Sequence, residues 1–225
     1  MAATLISLLP LIIGAALVPL LIIAAILLLT SEKQGPLKAI AFVVGMTGVR
    51  LAQGLLFGFV FNGGGADDGA EQAGIVKYAL LVVLGLLLLL AGVKKLLKQP
   101  DPDAPPPRWL TMLDGVSPLG ALGLGAGLLL ISAKAWVFTL SAISRIDEAA
   151  LGRTDSITTF LLFVLLAQSL ILIPIVIRLL LPGRAVAWLR ALNDWLEAHN
   201  SRITLAVSFV FGALFLYQGI AGLLA

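Results

Sequence analysis

The sequence predicts an all-α membrane protein with six membrane-spanning helices. Two observations indicate this class, and a third excludes other organising features. Hydrophobic residues make up 60% of the 225 residues and charged residues only 12%, more apolar surface than a water-soluble domain could bury. Six apolar segments reach roughly the 20 residues that a helix needs to cross a bilayer. The chain has no cysteine and a single histidine, which excludes disulfides and clusters of thiolate or imidazole metal ligands.

The six predicted spans follow one another with short polar connections. They cover about 5–29, 39–61, 75–93, 118–143, 157–181 and 203–224. The first has no preceding basic residue, so a retained helix is expected rather than a signal peptide. A further amphipathic segment at about 184–199 carries Trp188, Leu192 and Trp195 on one helical face. This pattern predicts a separate helix lying in the membrane interface.

The distribution of lysine and arginine predicts the orientation in the membrane. The connections after spans one, three and five hold ten of these residues: Lys33, Lys38, Lys94, Lys95, Lys98, Arg108, Arg178, Arg184, Arg190 and Arg202. The opposite side holds three, Lys77, Arg145 and Arg153. Because basic connections stay in the cytoplasm, both termini are predicted to lie outside a multi-pass protein of the cytoplasmic membrane.

The chain is predicted to consist of two related halves. Residues 1–97 and 118–225 each contain three spans, and a proline-rich cytoplasmic linker at 98–117 joins them. Three is an odd number, so the second half must enter the membrane from the opposite side. The predicted fold is therefore an inverted three-plus-three repeat, which many secondary transporters use around a site near the midplane.

Two sequence matches support this repeat. The segment LAQGL at Leu51–Leu55 recurs as LAQSL at Leu166–Leu170, an offset of 115 residues. At an offset of 127 residues, glycines of the third span match glycines of the sixth: Gly85 with Gly212, and Gly92 with Gly219. Glycines at this seven-residue spacing predict close helix packing rather than chemistry.

Two cations lie deep in the apolar spans. Arg50 is 11 residues, or about 16 Å, from either end of its span, and Lys134 lies ten residues before Ser144. A cation at the centre of a membrane helix costs about 2.5–3.5 kcal/mol, so each should face a protein partner, a water-filled cavity or a ligand. The spans hold no Asp or Glu away from their ends. This argues against a carboxylate proton relay and favours an anionic ligand group.

The predicted substrate site is built from residues on three spans. Arg50 and Lys134 are expected to bind the anion, and Gln53 and Gln168 are expected to orient it. Thr47 lies on the same helical face as Arg50, and Ser141 lies on the same face as Lys134. The alternative is that both cations only bond carbonyls freed by broken helices. No metal ligands or cofactor motif accompany these residues.

Two prolines inside the spans are candidate kink or gating positions. Pro19 and Pro174 each remove one backbone hydrogen bond and free a carbonyl that could line a cavity. A plain kink is the alternative interpretation, because prolines are frequent in membrane helices.

Two segments resemble a known family. They are LPLIIGAALVPLLIIAAILLLTSEKQGPLKAIAFVVGMTGV in the first half and PPPRWLTMLDGVSPLGALGLGAGLLLISAKAW opening the second. The chain resembles the sulfolipid-addressing or glycopeptidolipid-addressing (Sap/GAP) membrane proteins of the lysine exporter (LysE) superfamily. This resemblance implies an inverted three-plus-three bundle and a role in exporting lipids or small molecules, or in assisting their export.

The chain departs from that family at one signature. The family typically carries Asn-Pro-Lys in the fourth helix, whereas Ser132, Ala133 and Lys134 stand here. The lysine is kept and the helix-breaking proline is absent, which argues against a broken fourth helix.

The resulting function hypothesis is a transporter or export accessory for an anionic lipid, glycolipid or other small anionic molecule. One alternative is a scaffold that recruits lipid-synthesis or export machinery, and another is an exporter of amino acids or ions. No catalytic constellation lies within the spans, so no enzyme activity is expected. The expected partners are membrane lipids, the substrate, and a second copy or such machinery. Scattered cations without a basic stripe argue against nucleic acid.

Overall fold

The computed structural model describes residues 2–62, 69–97 and 113–224, and their regular structure is entirely helical. The all-α prediction is confirmed for these residues; of the predicted linker at 98–117, residues 98–112 lie outside them. The helices are α1 Ala2–Ala16, α2 Pro19–Thr30, α3 Gly35–Asn62, α4 Gly69–Leu97, α5 Pro118–Ile131, α6 Ala133–Glu148, α7 Arg153–Ala167, α8 Ser169–Leu180 and α9 Pro182–Leu224, with a 3₁₀ turn at Leu113–Gly115.

Several of these helices could cross a bilayer, as expected of a membrane protein. Within the described residues, α3 and α9 are each long and apolar enough to do so alone. Three bent pairs, α1 with α2, α5 with α6 and α7 with α8, raise the count to as many as five. These pairs coincide with the spans predicted at 5–29, 118–143 and 157–181. The predicted third span, 75–93, falls within α4.

The first bend, of 61°, separates α1 from α2. Pro19 is the first residue of α2, so the kink lies where this proline predicts it. Proline has no N–H, and therefore the carbonyl of Ala15 loses its helical donor. The helix restarts at once, because Leu21 and Ile22 donate to the carbonyl of Val18.

The second bend, of 74°, separates α5 from α6 at Ser132. The missing proline had argued against this break. Two side chains explain how the chain breaks without it, because each satisfies a backbone group that the break frees. The Ser132 hydroxyl accepts from the Ala135 N–H at 3.3 Å and caps α6, and the Trp136 indole donates to the Leu130 carbonyl at 2.8 Å.

The third bend, of 64°, separates α7 from α8 at Gln168. Gln168 donates from its own side-chain amide to the Val164 carbonyl at 3.2 Å, replacing a backbone bond that the bend removes. Pro174 had been the predicted kink position in this span. It lies six residues further on, inside α8, so the bend is at the glutamine.

The segment predicted as a separate interfacial helix, 184–199, is the first part of α9. That helix runs for 43 residues without interruption into the last predicted span, so the boundary between the two was wrong. Leu189 and Leu196 are buried in one apolar cluster with residues of α2. Trp188 and Trp195 remain 45% and 52% exposed, so this part of α9 keeps an open aromatic face.

Helices α4 and α9 pack against each other through glycines, as the sequence predicts. A Cβ atom on Gly85 would lie 2.7 Å from the Leu216 backbone nitrogen, and one on Gly212 would lie 2.8 Å from the Leu89 side chain. One on Gly219 would lie 2.7 Å from Val82. Residue numbers therefore increase along α4 as they decrease along the contacting stretch of α9, so the two helices run antiparallel.

Candidate functional site

Helix α3 holds the polar stripe of the predicted site. Thr47, Arg50 and Gln53 are three residues apart, and the helix is unbroken across them, so they share one face. That face meets α7 and α8 in antiparallel fashion, because Thr47 bonds Gln168 while Arg50 lies against Phe163.

Arg50 is 1% exposed and has only neutral partners among the described contacts. Its Nη1 donates to the Thr139 hydroxyl of α6 at 3.2 Å, and its guanidinium carbon lies 5.9 Å from the centre of the Phe163 ring. The Thr139 hydroxyl in turn donates to the Ala135 carbonyl at 2.8 Å. In the described ranges, Arg50 Nε has no hydrogen-bond partner. The cation is thus oriented but not neutralised.

Gln53 adds a second set of unused polar atoms. Its side chain is 2% exposed, and neither its amide nitrogen nor its amide oxygen finds a partner within the described part of the chain. A buried polar group without a partner costs about 1–3 kcal/mol. Together with Arg50 Nε, this face offers two donors and one acceptor for a ligand group.

Gln168 belongs to the same cluster but is fully engaged. Its amide nitrogen lies 3.1 Å from the Thr47 hydroxyl and also donates to its own helix. The Thr47 hydroxyl donates to the Val43 carbonyl at 2.8 Å. The structure therefore brings Thr47 and Gln168 together beside Arg50, and this pair ties α3 to the bend.

Lys134 lies at a different level of the bundle. Its ammonium donates to the Thr204 carbonyl of α9 at 3.1 Å. Thr204 is seven residues, or about 10 Å along α9, from Phe211, whose ring packs on Phe138 beside Thr139. The described contacts therefore place the two cations in separate environments.

Ser141 lies apart from both cations. Its side chain is 4% exposed, its hydroxyl has no partner within the described ranges, and it lines a cavity of about 60 Å³. Polar groups of α1, α6 and α9 share this cavity: Ser7, Ser144, Arg145, Glu148 and Gln218. The sequence placed Ser141 on the face of Lys134, but its surroundings are those of the opposite end of α6.

One comparison with known proteins decides the family. The family described as Sap, sulfolipid-1-addressing protein, matches residues 8–221, which is nearly the whole chain. The chain belongs to this family. No curated protein and no solved structure matches it. The match confirms the resemblance to the sulfolipid-addressing (Sap) proteins and indicates a lipid-related membrane protein.

Two residues of this candidate site were not predicted from the sequence. Thr139 and Phe163 supply the hydroxyl and the ring that orient Arg50. Thr139 could have been found, because it is a hydroxyl within an apolar span on the face of α6 opposite Lys134. Phe163 gives no signal in a helix rich in leucine and phenylalanine. Within the part of the chain that the structure describes, no cluster of His, Cys, Asp or Glu could hold a metal ion.

Proposed function

We propose that this Sap-family protein is a membrane transporter or export accessory that binds the anionic head group of a lipid at Arg50. One observation carries the proposal. Arg50 is buried in the middle of an apolar helix with neutral partners, and within the described residues neither its Nε nor the amide of Gln53 has a hydrogen-bond partner. A guanidinium with free donors is the group that best binds a phosphate, sulfate or carboxylate.

The energetics favour a ligand over a structural role for Arg50. An unpaired cation at the centre of a membrane helix is costly, and here only a hydroxyl and an aromatic ring offset that cost. A cation that served as a strut would be expected to bond several backbone carbonyls. An anion that also accepts from the Gln53 amide would supply the missing partners.

We further propose that the bundle is an inverted three-plus-three repeat. Two observations support it. Helices α1 and α5 end at Ala16 and Ile131, which are 115 residues apart, the offset that relates LAQGL to LAQSL. At the second offset, of 127 residues, Gly85 is equivalent to Gly212 and Leu89 to Leu216. The α4–α9 contacts are reciprocal in this sense, because Gly85 contacts Leu216 and Gly212 contacts Leu89. Such reciprocity is what a two-fold axis between the third helices would produce.

The distribution of basic residues supports a location in the cytoplasmic membrane with both termini outside. The proposed partners are membrane lipids and the anionic substrate, with a second copy or a lipid-processing machine as further candidates. The proposed role is transport without catalysis, metal or cofactor. An exporter of amino acids or ions is less favoured, because an ammonium group would need a carboxylate partner at the site.

A scaffold is the second candidate function. The observation that favours it is the exposed aromatic face of α9, where Trp188 and Trp195 are open to a partner. A scaffold of this kind would recruit lipid-synthesis or export machinery without moving lipid itself.

The test is mass spectrometry of lipids retained after extraction in native lipid discs. Wild type would be compared with Arg50→Met, with Arg50→Lys, which keeps the charge but loses the planar fork, and with Trp188→Ala/Trp195→Ala as the matched control. We expect enrichment of an anionic lipid in wild type, its loss in Arg50→Met, partial loss in Arg50→Lys and no change in the control. Equal lipid content in all four samples would overturn the proposal and favour the scaffold.

A further inference from the structure

Helix α6 carries a second polar stripe that the Arg50 site does not use. Lys134, Ser141 and Arg145 recur at spacings of seven and four residues, so they lie on one face, with Phe138 between the first two. Thr139, which holds Arg50, is on the opposite face. Helix α6 therefore contacts the proposed anion site with one face and a different part of the bundle with the other.

Helix α9 presents a matching stripe. Its members recur every three or four residues and are Thr204, Ser208, Phe211, Phe215 and Gln218. Three contacts join the two stripes in the same order along both helices. Lys134 donates to the Thr204 carbonyl at 3.1 Å, the rings of Phe138 and Phe211 lie 4.8 Å apart, and Arg145 donates to Gln218 at 2.8 Å. Helices α6 and α9 thus run parallel, and long side chains bridge the space between them. We call this interface, from Lys134 and Thr204 at one end to Arg145 and Gln218 at the other, the α6–α9 seam.

Each half of this seam contains a buried hydroxyl that lacks a partner in the described residues. Ser208 is 0% exposed, lies one turn after Thr204 and packs against Gly92 of α4, the helix that also carries Lys95. Ser141 is 4% exposed and faces the cavity that Arg145 and Gln218 line. Buried hydroxyls are normally bonded, so two unused ones along one seam indicate positions where a passing polar group would bond.

Three phenylalanine rings separate these two polar ends. Phe138 lies edge-on to Phe211 at 4.8 Å, and Phe215 lies 6.1 Å from each of them. Gly14 of α1 backs the rings so closely that a methyl group there would overlap Phe138 and Phe211. The rings fill the seam at this level, and a polar group on either side meets an apolar barrier.

We propose that the α6–α9 seam is the route by which an anionic lipid head group crosses the protein, and that Phe138, Phe211 and Phe215 form its gate. A cation stands at each end of the route, Lys134 on one side and Arg145 on the other. Lys95 of α4 also lies within electrostatic range of Lys134. Glu148 lines the cavity, and its carboxylate accepts from Ser144 at 3.4 Å. The inference rests on the proposed transport function and adds a route that is separate from the Arg50 site, because Thr139, which bonds Arg50, lies on the other face of α6.

The test uses proteoliposomes of phosphatidylcholine that contain a trace of head-group-labelled fluorescent phosphatidylglycerol. A membrane-impermeant quencher reports how fast the label crosses between leaflets. We expect Phe211→Ala to accelerate crossing at least several-fold over wild type, because it opens the gate. Phe42→Ala is the matched control: Phe42 is also buried, in the other apolar cluster, and its truncation should leave the rate unchanged.

Two further variants keep the test decisive if Phe211→Ala does not fold. Phe211→Leu should give a smaller acceleration, and Ser208→Ala should slow crossing, because it removes a hydroxyl that could bond the head group. Labelled phosphatidylcholine should respond less than the anionic label in every variant. Equal rates for wild type and all gate and route variants would overturn the route. If Arg50→Met nevertheless loses its bound anionic lipid, the proposed function survives that result; if it does not, both fail.

Discussion

In the proposed repeat, α3 and the pair α7–α8 are the second helices of the two halves. They carry glutamines at positions related by the offset of 115, and the two glutamines have different surroundings. Gln168 bonds the Val164 carbonyl that the bend leaves free, and it also bonds Thr47. Gln53 lies in an unbroken helix, and neither atom of its amide has a hydrogen-bond partner within the described residues. At the offset of 115, the counterpart of Thr47 is Leu162, which cannot form a hydrogen bond. One copy of the motif therefore stabilises the fold, while the other is left free to bind.

The third helices behave in the opposite way, because α4 and α9 contribute equivalent glycines to one shared contact. A duplicated fold needs close packing in both copies, whereas one binding site near its axis needs polar groups from only one copy. The halves are thus alike where they pack and different where we propose binding.

The largest expected effect concerns the packing glycines. Gly85→Ala should lower the free energy of unfolding by about 3 kcal/mol, because the new methyl group would meet the backbone of α9. Gly212→Ala should cost somewhat less, since it would meet the Leu89 side chain, which can move. The measurement is unfolding in detergent followed by tryptophan fluorescence. Gly123→Ala, which would point into open space, is the control, and an equal loss there would refute the packing argument.

The two glutamines should respond differently to the same change. Gln168→Leu should lose about 1–3 kcal/mol of unfolding free energy, because the Val164 carbonyl and the Thr47 hydroxyl lose their shared partner. Gln53→Leu should be neutral or stabilising, since it removes a buried amide that has no partner. Similar losses for both variants, by the same unfolding assay, would show that Gln53 is bonded after all and end the contrast.

Arg50 should limit stability in the absence of a ligand. Arg50→Met is expected to raise the free energy of unfolding by about 1–2 kcal/mol in delipidated detergent, because a buried cation with neutral partners is replaced by an apolar side chain. Adding an anionic lipid should stabilise wild type and leave Arg50→Met unchanged. A destabilised Arg50→Met would identify a strut instead.

The smallest effect would come from giving Gln53 a counterpart of Thr47. Leu162→Thr should couple to Gln53 by about 1 kcal/mol in a double-mutant cycle with Gln53→Leu, if the two halves are related as proposed. The readout is the unfolding free energy of the four variants. Zero coupling would mean that position 162 does not face Gln53, and the proposed two-fold relation would need revision at these helices.

Apolar patterning was sufficient to predict the helical class, and up to five of the six predicted spans correspond to helices or bent helix pairs that could cross a bilayer. It also predicted that the glycines lie at close helix contacts. One of the two candidate prolines, Pro19, lies at a bend, where it is the first residue of α2. The bends at Ser132 and Gln168 could not be predicted in the same way, because there the side chains stabilise a break that no backbone rule requires. The single helix α9 was divided in the prediction because its polarity changes along its length while its backbone continues.

The candidate site was predictable only where the helix that carries it is unbroken. Residues on unbroken α3 kept the spacing that the sequence implies, so Thr47, Arg50 and Gln53 share a face as expected. Lys134 follows a bend that the sequence did not show. Its depth, counted along a straight helix, was therefore a poor guide to its partner Thr204. Counting residues locates a side chain only as far as the nearest break.

The neutral surroundings of Arg50 have a consequence for how transport would be powered. A site of fixed positive charge, with no carboxylate among its described contacts to release a proton, leaves the anion's charge as the one that moves. If the proposed function holds, each monoanion that leaves the cytoplasm carries one negative charge outward. A membrane potential that is negative inside favours this step by about 2.3 kcal/mol per 100 mV. The voltage across the membrane would then drive export without a coupled ion.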